Sequence, residues 1–127
     1  MKIALTSVSV NDPVEAFKFY TEILGFREKL FMPEMKLAIV VSPEEPNGTA
    51  LLLEPNENNL GTKEYFDNVY NAGLPVIVFG VDDVQAEYNR LTKLGVKFTK
   101  NPTITDWGTE AIFDDTCGNL IQIHQQP

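Results

Sequence analysis

Two side chains of this sequence combine a titratable group with an unusual position. His124 is the only histidine among the 127 residues, and Glu54 directly follows the three leucines Leu51–Leu53. A carboxylate beside an imidazole can pass a proton to or from a bound molecule, so Glu54 and His124 are the candidate catalytic residues. A plainer interpretation is also open, because a carboxylate at a strand end and a histidine near the C-terminus could simply reach solvent.

The single tryptophan, Trp107, suggests a different kind of contact. It precedes Gly108 in a segment with turn character, and its flat ring could stack on a flat or cationic ligand or pack in the core. The single cysteine, Cys117, has acidic neighbours that disfavour a reactive thiolate. A helix cap and a turn explain the aspartate pairs at 82–83 and 114–115 better than paired catalytic carboxylates do. The sequence has no phosphate-binding loop, dinucleotide fingerprint or nucleophile elbow.

The elements that would position these residues follow one pattern, which occurs twice. Each copy begins with a strand, continues through a helix with an aspartate at its N-terminus, and ends that helix at a glycine. The aspartates are Asp12 in the first copy and Asp82 or Asp83 in the second, and the glycines are Gly25 and Gly95. The repetition indicates two copies of one supersecondary unit.

Short strands follow each helix. They are predicted at 26–32, 35–42 and 49–54 in the first half, and at 96–99, 103–107 with 109–114, and 119–125 in the second. The predicted fold class is α+β, with two βαβββ modules in a single domain. The first module covers about 1–60, the second about 74–127, and a connector with a short helix covers about 61–73.

Side chains alternate along these strands, which separates two faces of each sheet. One row is wholly apolar and should lie under the helices; it comprises Val8, Val10, Leu51, Leu53, Ile77, Phe79, Val81, Ile121 and Ile123. The other row mixes apolar and polar groups, as small-molecule pockets do; it comprises Leu5, Ser7, Ser9, Leu52, Glu54, Val76, Val78, Leu120, Gln122 and His124. A slip of one residue would exchange the two rows of a strand.

Composition argues against several classes of partner. The net charge of −8 disfavours nucleic acid and anionic membrane surfaces, because Lys and Arg supply most of that affinity. No apolar run approaches the ~20 residues of a membrane span, and the N-terminus lacks the apolar region of a signal peptide. One cysteine cannot form an internal disulfide. We therefore expect a cytoplasmic protein that binds a small molecule and neither nucleic acid nor membrane.

A set of short motifs runs through both halves. The first half has Val10-Asn11-Asp12, Phe19-Tyr20 and Leu24-Gly25-Phe26, and the second has Phe79-Gly80-Val81-Asp82-Asp83-Val84, Leu91, Leu94-Gly95, Trp107-Gly108, Phe113-Asp114-Asp115 and Gly118-Asn119. In order and spacing these motifs resemble the vicinal-oxygen-chelate superfamily of glyoxalases, bleomycin resistance proteins and dioxygenases, over essentially the whole chain. The resemblance implies a curved mixed sheet around a cavity, often in a homodimer. It implies less about activity, since one fold hosts many functions.

The same resemblance locates four possible metal-ligand positions. Metal-using members take one ligand from each of four strands, and the corresponding residues here are Leu5, Glu54, Val76 and Gln122. Two of these are aliphatic, whereas a catalytic divalent ion normally takes at least three N, O or S donors from the protein. The sequence therefore predicts no metal site and no cofactor. Bleomycin-resistance-like members often have Trp-Gly in the pocket wall, which favours a ligand-stacking role for Trp107.

The favoured interpretation is a metal-free, bleomycin-resistance-like protein that binds a small hydrophobic, neutral or cationic molecule by sequestration. The predicted ligand-binding residues are Leu5, Phe31, Leu52, Glu54, Val76, Trp107, Gln122 and His124. Two alternatives stay open. One is a metal-dependent glyoxalase-like lyase, isomerase or dioxygenase whose ligands come from a shifted register. The other is a structural or regulatory homodimer with a vestigial cavity.

Overall fold

Each half of the chain forms a βαβββ module, as the repeated pattern predicts. A computed structural model describes residues 1–57 and 60–127, in two units, Met1–Phe66 and Asp67–Pro127. Residues 58–59, near the predicted end of the first module at about 60, lie outside the described residues. The first half contains β1 (Leu5–Val10), α1 (Pro13–Lys18), β2 (Arg27–Met32), β3 (Leu37–Val41) and β4 (Ala50–Pro55). Next comes α2 (Thr62–Asn71), followed by β5 (Ile77–Gly80), α3 (Val84–Lys93), β6 (Phe98–Thr105), β7 (Gly108–Asp114) and β8 (Leu120–Gln125).

The helices begin and end where local chemistry allows. The Asp12 carboxylate accepts a 2.9 Å hydrogen bond from the Val14 N–H, and Asp83 accepts one of 3.0 Å from the Ala86 N–H. Asp83, and not Asp82, is therefore the N-cap residue of α3. The predicted terminal glycines are left-handed, with φ of 92° at Gly25 and 88° at Gly95. Across the described parts of the chain, every helix is too short or too polar to cross a membrane.

The first sheet has the strand order β1-β4-β3-β2, with β1 parallel to β4 and the other pairs antiparallel. Val8 lies opposite Leu53, and both side chains are buried with Val10 and Leu51 on the side that α1 covers. This burial confirms the predicted apolar row of the first module. A π-helical turn, Phe19–Ile23, extends α1.

The second sheet repeats this order as β5-β8-β7-β6. Ile121 and Ile123 are buried beside Phe113, and α3 packs on their side of the sheet. The Tyr88 ring of α3 meets the Phe98 ring edge to face, with centroids 4.7 Å apart. The predicted apolar side of β8 is therefore also confirmed.

The segment between α3 and β7 differs from the prediction. Instead of two strands at 96–99 and 103–107, one strand runs through Phe98–Thr105, and Asp106 and Trp107 form the turn. Its pairing with β7 shifts between Lys100 and Thr103, around Pro102. Proline lacks an N–H and is tolerated at an irregularity of an edge strand, so it interrupts the register without ending the strand.

Candidate functional site

The face of the first sheet opposite α1, called here the first open face, is mostly apolar. Ser7 lies opposite Leu52, and Leu52 lies opposite Ile39, so these side chains form a row across β1, β4 and β3. Leu52 and Ile39 are half-buried, and Leu5 is 48% exposed at the start of β1. Burying such apolar area stabilises a complex by roughly 25 cal/mol per Å² removed from water. This face therefore suits an apolar ligand surface.

Three of the predicted ligand-binding residues lie on the first open face. Leu5 and Leu52 are apolar, and Glu54 is an exposed carboxylate opposite Ser9. Glu54 thus lies at the strand end, where it can meet solvent or a cationic group.

Phe31 was predicted to belong to the same surface, but it lies instead on the helix side. It is opposite Ala38, whose side chain is buried, and its ring stacks on Phe17 of α1 with centroids 3.9 Å apart and planes at 6°. Stacking covers one face of each ring and removes that apolar area from water. Phe31 therefore contributes to the core rather than to the first open face.

The face of the second sheet opposite α3, the second open face, contains two rows of paired residues. One row crosses β5, β8 and β7 as Val78, Gln122 and Ile112. The next row crosses the same strands as Gly80, His124 and Glu110. Gln122 and His124 are half-buried, whereas Val78 is 53% exposed. The structure thus brings together the two polar residues of β8 that the sequence predicted as ligand contacts.

A polar network on the second open face centres on Glu110. The Lys100 ammonium donates to Glu110 Oε1, and Gln122 Nε2 donates to Glu110 Oε2 over 3.1 Å. The Lys100 and Glu110 side chains are only 38% and 21% exposed, so solvent screens the pair incompletely. Sequence reasoning missed Lys100 and Glu110. Alternation along β7 could have found Glu110, because Gly108, Glu110 and Ile112 share one side of that strand.

The His124 side chain lies close to the backbone at Gly108. A Cβ on Gly108 would lie 2.1 Å from the Gln125 carbonyl oxygen and 3.0 Å from His124 Cε1, and the φ of Gly108 is 132°. Only glycine fits such a position without displacing a strand. The imidazole therefore lies against the β7 backbone.

Trp107 and Val76 occupy the margins of the second sheet. The Trp107 indole is 81% exposed in the β6–β7 turn, and the backbone N–H of the same residue donates to Thr105 Oγ1 over 3.1 Å. This exposure excludes the core alternative for the ring. Val76 lies one residue before β5, half-buried, with its N–H donating to the Leu120 carbonyl over 3.0 Å.

The second aspartate pair, Asp114 and Asp115, has a structural role in the turn after β7. Asp115 is fully buried, and Asp115 Oδ1 accepts the N–H groups of Cys117 at 2.7 Å and Asn119 at 2.9 Å. Asp114 accepts the hydroxyl of Tyr70, and this hydrogen bond raises the pKa of Tyr70 above its usual value. Both carboxylates therefore hold the turn and α2 rather than a ligand.

The four metal-ligand positions implied by the resemblance do not fit a metal ion. Leu5 and Val76 offer no donor atom, Glu54 is exposed, and the Gln122 amide already bonds Glu110. Within residues 1–57 and 60–127, no three His, Cys, Asp or Glu side chains cluster closely enough to hold an ion. Since catalytic metals usually take three protein ligands, this donor set is inadequate.

Comparisons of this chain with a family model, with a sequence relative and with solved structures agree with one another. The family model of the Glyoxalase/Bleomycin resistance protein/Dioxygenase superfamily matches residues 2–123. The uncharacterized protein YurT of Bacillus subtilis (strain 168) is 51% identical over 128 residues, which are 99% of this chain and 100% of YurT. Among solved structures, UcmS2 has a TM-score of 0.83 and 27% identity, with 99% of this chain and 98% of UcmS2 covered. TnmS3, an antibiotic binding protein from Streptomyces sp. CB03234, has a TM-score of 0.76 and 27% identity, with 100% and 97% covered.

Proposed function

The chain belongs to the glyoxalase/bleomycin resistance protein/dioxygenase superfamily, and from that premise we propose that it binds a small hydrophobic, neutral or cationic molecule without a metal ion. The protein would hold this molecule and release it unchanged, so that it acts by sequestration. The observation that carries the proposal is the make-up of the two open faces: the first is mostly apolar, and the second combines the apolar Val78 and Ile112 with a few placed polar groups. Such surfaces are typical of small-molecule sites.

The polar groups support the stated ligand charge. Glu54 is the exposed carboxylate on the first open face, whereas the Glu110 carboxylate on the second is paired with Lys100. A net charge of −8 adds a general attraction for cations and repulsion of anions. A neutral or cationic molecule with apolar surface therefore matches these faces better than an anion does.

The similarity to TnmS3 supports a ligand of the antibiotic class. Aliphatic residues at two of the four ligand positions, Leu5 and Val76, argue against a metal-held substrate. A homodimer, as the family resemblance implies, and a cytoplasmic location complete the proposal. Trp107 is proposed to stack on the ligand through its exposed ring.

A chelator-treated stability screen tests the proposal. The protein is dialysed against EDTA and heated with a panel of antibiotics grouped as hydrophobic neutral, hydrophobic cationic and anionic. A ligand at 100 times its Kd stabilises the native state by about 2.7 kcal/mol, so neutral or cationic compounds should raise the Tm. Mass spectrometry of the recovered compound should find it unmodified.

A matched pair of variants controls the screen. Leu52→Glu introduces a carboxylate into the half-buried centre of the first open face, whereas Ile104→Glu introduces the same charge at a side chain that is 86% exposed. Binding should weaken in Leu52→Glu and persist in Ile104→Glu. If stabilisation by a compound needs added metal, the metal-dependent lyase, isomerase or dioxygenase alternative would be favoured. The same holds if mass spectrometry recovers a compound in chemically changed form. The absence of any hit, with a stable dimer in solution, would favour the structural alternative.

A further inference from the structure

Gly80, an exposed residue of the edge strand β5, leaves open space beside His124 that is called here the gap. Gly80 lies opposite His124 across the parallel β5–β8 pair, and a Cβ placed on Gly80 would meet no atom of the described residues within 4 Å, its two chain neighbours apart. The φ of Gly80 is outside the left-handed region, so the backbone does not require glycine here. The backbone of β5 could therefore accept a larger side chain at this position.

The His124 ring does not fill this gap. Its Cε1 atom lies only 3.0 Å from the position of a Cβ on Gly108, which is at the start of β7. Since β5 and β7 flank β8 on opposite sides, a ring that approaches Gly108 is directed away from Gly80. The space over Gly80 consequently lies beside the His124 position of β8 and above the exposed Gly80 backbone, and the ring leaves it open.

The hydrogen-bond network around Glu110 determines which ligand groups suit the space over Gly80. Lys100 and Gln122 each donate to one oxygen of Glu110, so the carboxylate charge is balanced by an ammonium within the same network. The Gln122 amide must direct Nε2 toward a carboxylate, and this orientation leaves its Oε1 as the acceptor available to a ligand. The imidazole adds a donor and an acceptor of its own. An uncharged ligand group loses less solvation here than an ion would.

We propose that Gly80, Gln122 and His124 form a subsite for an uncharged planar group of the ligand that carries both a hydrogen-bond donor and an acceptor, as an amide or a phenol does. This inference rests on the proposed binding function and specifies part of its ligand. The planar group lies over the Gly80 backbone, donates to Gln122 Oε1 and bonds the imidazole of His124. Val78, beside Gln122, supplies the apolar edge.

Three probes with the same ring test the subsite. Naphthamide has a donor and an acceptor, acetylnaphthalene has the acceptor alone, and methylnaphthalene has neither; all three are uncharged and substituted at the same ring position. Their affinities are measured by ligand-observed NMR titration on the wild type. We expect naphthamide to bind about tenfold more tightly than methylnaphthalene, since one or two net hydrogen bonds correspond to that ratio. Acetylnaphthalene should fall between them.

Variants at the gap then test its shape. Gly80→Ala should weaken naphthamide binding slightly and Gly80→Val by about tenfold, while methylnaphthalene affinity changes little. Thr6→Val, an exposed strand residue on the helix side of the first sheet, is the matched control and should leave all three affinities unchanged. Gln122→Met should remove the preference for naphthamide without removing ring binding.

The outcomes separate the subsite from the wider function. If the wild type binds all three probes with equal affinity, or if Gly80→Val retains the full naphthamide preference, the subsite is refuted and the binding function stands. If the wild type binds none of them up to their solubility limits, the subsite is refuted, and the antibiotic screen alone decides the wider binding function. Graded loss across Gly80→Ala and Gly80→Val, with unchanged melting temperatures, supports the subsite.

Discussion

Replacement of Gly108 by alanine should be far more damaging than replacement of Gly80, although both glycines lie on the second open face. An L-residue at the Gly108 φ of 132° is strained, which costs about 1–3 kcal/mol. The added Cβ would also lie 2.1 Å from the Gln125 carbonyl oxygen. Relief of that overlap requires β7 and β8 to separate locally, which costs about another 1–3 kcal/mol.

Gly108→Ala should also weaken a hydrogen bond at the start of α3. Gln125 Oε1 accepts the N–H of Val84, the first residue of α3, over 3.0 Å. Displacement of Gln125 weakens this bond, and a typical net hydrogen bond contributes about 1 kcal/mol. We therefore expect Gly108→Ala to lower the free energy of unfolding by about 3–7 kcal/mol, a large part of the usual 5–15 kcal/mol of a domain.

Urea denaturation followed by circular dichroism measures this loss. Gly80→Ala is the matched control, because its Cβ meets open space, and it should change stability by less than about 1 kcal/mol. Gly25→Ala, with a φ of 92° and no overlap, should lie between the two at about 1–2 kcal/mol. Equal effects at Gly80 and Gly108 would refute the β7–β8 register on which the second open face depends.

Three further changes test other parts of the structure. Asp115→Ala should cost about 3 kcal/mol or more in urea denaturation, because it leaves buried N–H groups without their acceptor; a cost under about 1 kcal/mol would contradict this. A double-mutant cycle of Phe17→Ala and Phe31→Ala should give a coupling of about 0.5–1.5 kcal/mol, whereas zero coupling would refute the stack. Because Asp114 raises the pKa of Tyr70 above 10.0, this bond supports the folded state below that pH, and its contribution is lost as the pH rises through the raised pKa. Tyr70→Phe should remove that part of the alkaline decline in stability, and an identical decline in both proteins would contradict the bond.

Much of the fold was predictable because its signals are local. Asp12 and Gly25 mark the ends of the first helix through capping and a left-handed residue, which the structure confirms. Alternation along the strands was equally informative, since Val8 and Leu53 are buried on the helix side. The predicted break between 99 and 103 was wrong, because an edge strand can absorb Pro102 at a shift in register.

The open faces were harder to predict because their contacts cross strands. Lys100 meets Glu110 only through the pairing of β6 with β7, whose register shifts twice. Phe31 was assigned to the ligand surface, but its ring partner on α1 could not be inferred from strand alternation alone. The gap at Gly80 likewise depends on the side to which the His124 ring turns. Predicting these features requires knowing which residues lie opposite each other on neighbouring strands, and not only the alternation along each strand.

Metal analysis of the purified protein, prepared without chelators, tests the central claim of metal-free binding most directly. Metal content is measured by mass spectrometry, and thermal stability is followed during titration with nickel, cobalt, zinc, manganese and ferrous ions. Because Leu5 and Val76 provide no donor atoms, we predict no stoichiometric metal and no stabilisation by any of these ions. About one ion per chain, with stabilisation of several kcal/mol at saturating metal, would contradict the claim and favour metal-dependent catalysis.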